Sequence, residues 1–233
     1  MKTFSPDSSV RAFTLIELLT VIAIIVVLMG ILLPALQQSK IAAARTAAKS
    51  MTQIVTSAIS AYEVEYGRLP PTDISTTDDQ DLVLGETSMG AVQSNNVVFD
   101  TLRNIPRGPN VDYQANPKRV VYFEERVARA SSSGKPRTGF YDPSSAGMPP
   151  TDLIGSLYDP FGHQYGVILD TTGDGRIDLT GFYQDFAGAN PTTGLAPRKN
   201  VGAFSMGPDE KIGKDGNHLL GDKDRADDQV SWQ

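Results

Sequence analysis

Residues 11–34 read Arg-Ala-Phe-Thr-Leu-Ile-Glu-Leu-Leu-Thr-Val-Ile-Ala-Ile-Ile-Val-Val-Leu-Met-Gly-Ile-Leu-Leu-Pro, and this stretch decides the fold. From Phe13 to Leu33 there is one charge, Glu17, in 21 residues. At ~1.5 Å rise per residue a helix over that stretch is about 31 Å long. A bilayer core is ~30 Å thick, so the segment can span it. It exceeds the apolar core of a signal peptide, which runs ~7–15 residues. A polar leader precedes it, with Lys2 and Arg11 as basic flanks and a small residue, Ala12, just before Phe13.

Glu17 is the informative position. A carboxylate within a membrane helix costs roughly 2.5–3.5 kcal/mol on insertion scales, so such residues are usually paired and functional. Two readings stand. Glu17 lies near the helix start and reaches the headgroups, or it meets a positive partner one turn away. Cleavage before Phe13 would create such a partner, a new amine four residues from Glu17.

Arg11-Ala12-Phe13-Thr14-Leu15-Ile16-Glu17-Leu18-Leu19, followed by Val21-Ile22-Ala23-Ile24-Ile25, resembles the prepilin cleavage and methylation motif of type IV pilins and type II secretion pseudopilins. The resemblance implies that a prepilin peptidase cuts between Ala12 and Phe13 and methylates the new Phe13 amine. It further implies that the helix is drawn into a filament, where Glu17 meets a neighbour's N-terminus. The motif usually has Gly before the cut. Ala12 is small enough to fit and is expected to slow cleavage.

The rest of the chain is bounded by its composition. There are 233 residues, 40% of them hydrophobic, many used by the anchor. With 21 Gly and 15 Pro, the remainder suits a loop-rich β-containing domain better than a large enzyme core. A net charge of −6 argues against a basic nucleic-acid-binding face. Without cysteine there is no disulfide framework, and a bound cation is an alternative source of stability. His163 and His218, the only histidines, sit at neither metal nor triad spacing, and no nucleophile elbow occurs, so the reading is a structural protein and not an enzyme.

The expected organisation is a leader at 1–12, a transmembrane and filament-core helix at 13–34, an amphipathic helix at 35–66, and a β-rich head at 67–233. The fold class is α+β, a long helix packed on a small antiparallel sheet with long loops. By the positive-inside rule the leader is cytoplasmic and the head lies across the membrane. Pro34 cannot donate to the Gly30 carbonyl, so Gly30 and Pro34 mark a weak or kinked joint. Ala47, Met51, Ile54, Ala58, Tyr62 and Tyr66, widened by Ala44, Ala48, Val55 and Ile59, form the expected core-facing stripe. Gly67 ends the helix and Pro70-Pro71 prevents its return. Strand-like runs fall at 96–99, 119–123, 164–169, 176–179 and 201–206.

Two segments carry oxygen ligands. Asp170, Asp174 and Asp178 surround Gly173 and Gly175, a spacing that suits Ca²⁺, though a polar turn explains it better. In the tail, Ser205-Met206-Gly207-Pro208-Asp209 precedes Asp227-Asp228 and Ser231-Trp232. This resembles the calcium loop of the major type II secretion pseudopilin, as Asp159-Pro160-Phe161-Gly162-His163-Gln164-Tyr165 resembles a turn of the same protein class. The resemblance implies a Ca²⁺ held by the Asp209, Asp227 and Asp228 side chains and the Met206 carbonyl. A solvated acidic loop is the alternative, and any part played by Asp215, Asp222 or Asp224 stays open.

Taken together, the resemblance implies a pseudopilus subunit of a type II secretion system. It would sit in a bacterial inner membrane as a single-pass protein with a periplasmic head. Its partners would be the prepilin peptidase, identical and sibling pseudopilins, and the inner-membrane assembly platform. A type IV pilin for adhesion, motility or DNA uptake is the alternative.

Overall fold

The computed structural model describes residues 14–74, 81–130, 134–142, 151–177, 197–212 and 228–232. The chain divides into two compact units, Met1–Ala42 and Ala43–Gln233. One helix, α1 (Leu15–Tyr66), runs through the boundary. Pro34 lies inside it, and the helix runs on through Gly30 and Pro34, the expected weak or kinked joint. Proline removes one hydrogen bond without stopping a helix whose other bonds remain. In the first unit every large apolar side chain from Leu15 to Ile41 is exposed, Leu15 at 86% and Ile31 at 72%.

In the second unit the buried face of α1 is Ala48, Thr52, Val55, Ala58, Ile59 and Tyr62. Steps of three and four residues put these on one side. The expected stripe is rotated slightly. Ala47 and Ile54 point to solvent, and Thr52 is buried instead, its hydroxyl satisfied by donating to the Lys49 carbonyl at 2.8 Å. Gly67 closes the helix as foreseen, with φ 66° and its N–H bonded to the Glu63 carbonyl at 2.7 Å.

The head is built on a four-stranded antiparallel sheet in the order β1-β6-β7-β8, with β1 at Leu82–Leu84, β6 at Gly166–Leu169, β7 at Val201–Ser205 and β8 at Gln229–Val230. Registers pair Leu82 with Leu169, Gly166 with Phe204, and Phe204 with Val230. Two small ribbons complete the β structure. One pairs β2 (Arg129–Ala130) with β3 (Pro136–Arg137), and the other pairs β4 (Gly139–Phe140) with β5 (Leu157–Tyr158).

Because side chains alternate across a strand, the central sheet serves two cores. Leu82, Leu84, Val167, Leu169, Val201 and Ala203 join the α1 residues Val55, Ile59 and Tyr62 and the aromatic group Phe99, Phe123 and Phe140. Val83, Ile168, Phe204 and Val230 join Met89, Ile177, Met206 and Ile212, with Trp232 packed against them. Gly202 makes the second core possible. A β-carbon there would lie 2.7 Å from Ile177 Cδ1 and 3.1 Å from the Trp232 ring. The sheet is thus covered on both faces, and the C-terminal Trp232 is part of the second cover.

Two strand expectations fail. Residues 96–99 belong to a helix, α2 (Asn96–Leu102), buried almost throughout. A four-residue apolar run does not distinguish a strand from a buried helix, and here tertiary contacts decide. Asn95, fully buried at its start, donates through Nδ2 to the Leu157 and Tyr165 carbonyls and accepts from the Leu157 N–H. Residues 119–123 form no strand, and Arg119 has φ 55°. Their N–H groups are taken elsewhere, Val120 by Asn116 Oδ1 and Tyr122 by the Leu102 carbonyl. The expected run at 176–179 extends beyond the described residues, and within them Ile177 donates to the Pro197 carbonyl outside any strand.

Candidate functional site

The helix N-terminus is the first site. Thr14 immediately precedes α1, and Glu17 lies in its first turn. The first N–H groups of a helix have no partner within it, so side chains must supply acceptors. Glu17 Oε2 accepts from the Thr14 N–H at 2.9 Å and from Thr14 Oγ1 at 2.8 Å, while the Glu17 N–H donates to Thr14 Oγ1 at 3.2 Å. This is a reciprocal capping box of the Thr-x-x-Glu type. The sequence reading weighed Glu17 as a membrane charge and missed this role, although the Thr14-Leu15-Ile16-Glu17 spacing carries it. Ala12 and Phe13 lie outside the described residues.

The C-terminal loop is the second. The β7–β8 register pairs Phe204 with Val230 and Ser205 with Gln229, so Met206 and Asp228 each lie one residue beyond the last pair. Asp228 is buried and Asp209 is half-buried. Asp209 Oδ1 accepts the Lys211 N–H at 3.0 Å. Sheet pairing therefore brings two of the expected oxygen donors, the Met206 carbonyl and the Asp228 carboxylate, to the same end of the sheet. Such hard oxygen donors are of the kind Ca²⁺ takes. Asp227 and residues 213–226, with Asp215, Asp222 and Asp224, lie outside the described residues. Among the described residues, no three Asp, Glu, His or Cys side chains gather as a metal cluster.

The weaker candidates are otherwise engaged. Asp170 Oδ1 accepts from Thr172 Oγ1 at 3.0 Å and the Gly173 N–H at 2.6 Å, and its Oδ2 accepts the Gly175 N–H at 2.8 Å. Asp174 Oδ1 accepts the Arg176 N–H. Both carboxylates close their own turns in the manner typical of Asp. Asp178 lies outside the described residues.

A polar assembly that sequence reasoning passed over links these loops. Asp159 is fully buried. Its Oδ1 accepts the N–H groups of Phe161, Gly162 and His163 at 2.8–3.0 Å, and its Oδ2 accepts Ser205 Oγ at 2.6 Å. One carboxylate thus fixes the 159–163 turn and ties it to the end of β7. The Asp-Pro-x-Gly pattern announced the turn but not the partner 46 residues away.

Beside it, His163 is held between two carboxylates. Its Nδ1 lies 2.8 Å from Glu86 Oε2 and its Nε2 3.0 Å from Glu210 Oε2. Burial of the imidazole opposes its charge, but the bonds to Glu86 and Glu210 outweigh it, and the His163 pKa is raised above 6.5. Glu86 is half-buried, which opposes its charge, yet its bonds to His163 and the Gln164 N–H hold it below 4.5. The linkage signs are opposite. The histidine's contribution is complete below pH 6.5 and is lost as pH rises through its folded value. The Glu86 contribution is complete above pH 4.5 and is lost as pH falls through its folded value. Head stability is therefore expected to peak between about pH 4.5 and 6.5. His163→Gln should flatten the alkaline side and cost about 1–3 kcal/mol, the range for hydrogen bonds to charged groups. Thermal melts across pH check this, and an unchanged profile in the variant would remove His163 as the cause.

Residues 7–33 match the family model described as the prokaryotic N-terminal methylation motif. No curated protein and no solved structure is matched by the chain. The motif supports a type IV pilin-like protein, cut by a prepilin peptidase and assembled as a structural subunit into a filament. The α+β architecture of the model, a long N-terminal helix on a small antiparallel sheet, agrees with it.

Proposed function

We propose that the chain is a pseudopilus subunit of a type II secretion system. A prepilin peptidase cuts between Ala12 and Phe13 and methylates Phe13. Subunits held in the inner membrane by the first half of α1, with periplasmic heads, are then passed by an assembly platform into a short fibre with identical and sibling copies. The observation that carries the reading is Glu17, the only charge in an apolar helix inside the matched motif. The tail favours secretion over adhesion. It has no cysteine to staple it, and it carries Met206 and Asp228 just past the last β7–β8 pair, with Asp209 three residues after Met206. Gly30 and Pro34, at which α1 lacks one backbone bond, are where the helix would lengthen on entering the fibre.

Mass spectrometry of the protein extracted from membranes should find methylated Phe13 at the N-terminus. Functional fibres built from chains with an intact leader would defeat the proposal.

The tail is proposed to hold one Ca²⁺ through Asp209, Asp227, Asp228 and the Met206 carbonyl. A ligand that binds only the folded state stabilises by about 2.7 kcal/mol at a hundredfold excess over Kd. Melting of the detergent-solubilised chain should rise in calcium relative to chelator. Asp227→Ala with Asp228→Ala should erase the rise, and Asp174→Ala should not. An unmutated chain indifferent to calcium would leave the tail a solvated acidic loop.

A further inference from the structure

Charge is unevenly distributed on the head. Residues 126–137 contain Arg126, Arg129, Lys135 and Arg137 and no carboxylate, in a chain of net charge −6. Arg129 and Arg137 stand directly opposite each other on the β2–β3 ribbon, both exposed. Like charges in that position destabilise a two-stranded pair. Among the described residues neither arginine has an ion-pair partner, whereas Lys135 bonds Glu210 at 3.2 Å and Arg126 lies 3.8 Å from Glu125. A planar guanidinium with five donors is best satisfied by carboxylates. The ribbon presents two of them, and the described residues supply neither with a carboxylate.

The complementary surface is on the same head. A groove of about 850 Å³ is lined by Asp73, Glu86, Gln93 and Asp152, among others. Its size falls in the usual ~300–1,000 Å³ range of binding clefts. The groove's one basic side chain, Arg107, is spent on Asp100, with Nε and Nη2 each 2.6 Å from a carboxylate oxygen. Asp73 and Asp152 are exposed and form no ion pair among the described residues. Gln93 Oε1 is withdrawn from solvent and accepts no hydrogen bond. The groove therefore offers acceptors in excess of donors, and the ribbon offers the reverse. Among the described residues of one copy, Arg129 and Arg137 form no ion pair with Asp73 or Asp152.

We infer that the β2–β3 ribbon of one copy docks in the groove of a neighbouring copy, Arg129 and Arg137 pairing with the carboxylates of Asp73 and Asp152. The inference rests on the reading of the chain as a polymerising subunit. The ribbon and the groove adjoin at Lys135, His163 and Glu86 but are made of different residues, so the contact is heterologous and can propagate along a fibre. Single exposed ion pairs contribute little, ~0–1 kcal/mol. Their use here is to choose partner and orientation and to reject misaligned heads, which carry like charge. The apolar helices supply attraction without fixing rotation, and the head contact sets it.

The test uses the full-length chain in membranes. The chain lacks cysteine, so two single-cysteine variants with different tags, Arg137→Cys and Asp152→Cys, can be co-expressed and oxidised. A mixed-tag disulfide dimer is expected, and neither variant alone should form a comparable one. Separately, Arg129→Glu with Arg137→Glu should lower fibre yield at least tenfold, with the head's melting temperature unchanged. Co-expression with a chain carrying Asp73→Lys and Asp152→Lys should restore yield. Fibres that form normally from the charge-reversed chain, or the absence of the mixed-tag dimer where unmutated fibres form, would overturn the inference and leave the subunit reading standing. If the unmutated, processed chain forms no fibre at all, the subunit reading falls and takes this contact with it.

Discussion

Asp159→Ala is expected to leave the head largely unfolded at moderate temperature. The substitution removes one buried carboxylate and orphans four donors at once, the N–H groups of Phe161, Gly162 and His163 and the Ser205 hydroxyl. An unsatisfied buried donor costs about 1–3 kcal/mol, and water entering the vacated space recovers part of that. A loss of roughly 4–6 kcal/mol follows, near the upper end for single substitutions. It compares with a typical domain stability of ~5–15 kcal/mol. Asp159→Asn separates charge from shape. Its amide keeps one acceptor oxygen but points an N–H₂ at donors, so it should be intermediate. Ser205→Ala removes only the bond to β7 and should cost about 1–3 kcal/mol. Chemical denaturation of the three variants checks the order. An Asp159→Ala head within 1 kcal/mol of the parent would show that the turn holds without its carboxylate.

Glu17→Gln is expected to leave membrane insertion intact and to cut assembly by one to two orders of magnitude. In the single subunit Glu17 caps α1 through Thr14, and an amide oxygen can accept the same two bonds. What the amide cannot do is attract the amine of a neighbour's processed Phe13. A charge-assisted bond is worth about 1.5–3 kcal/mol, and each 1.4 kcal/mol is tenfold in an equilibrium constant. Thr14→Val is the complementary variant. It removes the hydroxyl of the cap and leaves the charge, so it should fray the first turn and affect assembly less. Fibre yield and crosslinking of membrane extracts measure both. Full assembly of Glu17→Gln alongside failure of Thr14→Val would assign Glu17 to capping alone.

How much of this was legible in the sequence depends on the range of the interactions. The apolar stretch, its single charge and the helix end at Gly67 are local signals, and the described structure carries all three. Strands β6 and β7 were legible because their apolar runs are four and five residues long. Strands of two residues, such as β5 and β8, leave no pattern to read. Residues 96–99 misled because a short apolar run has no period, and Asn95, just before them, is held by residues about 60–70 positions later. The buried face of α1 was misplaced by part of a turn, since Thr52 qualifies for the core only by bonding its own backbone. Of the tail segment, the sequence showed the carboxylates, while the pairing of Ser205 with Gln229 is a property of the sheet. The His163 bridge joins three segments by side chains alone, and no spacing rule reports it.

The order of strands has a consequence for biogenesis. Among the described residues β1 finds its strand partner in β6, more than eighty residues downstream, and β7 waits for β8, which follows a further long segment. Contacts this distant form late, after the closure of long loops. A chain crossing the membrane with its helix first would keep Val55, Ile59 and Tyr62 uncovered until Val167, Leu169 and Val201 arrive. Premature termination before Gln229 would leave β7 with an open edge, a template for unwanted pairing. Synthesis must therefore pass β6 and β7 before the head can hide its apolar helix face, and pass β8 before it can cover the edge of β7. Proteolysis would have that whole interval in which to discard truncated copies.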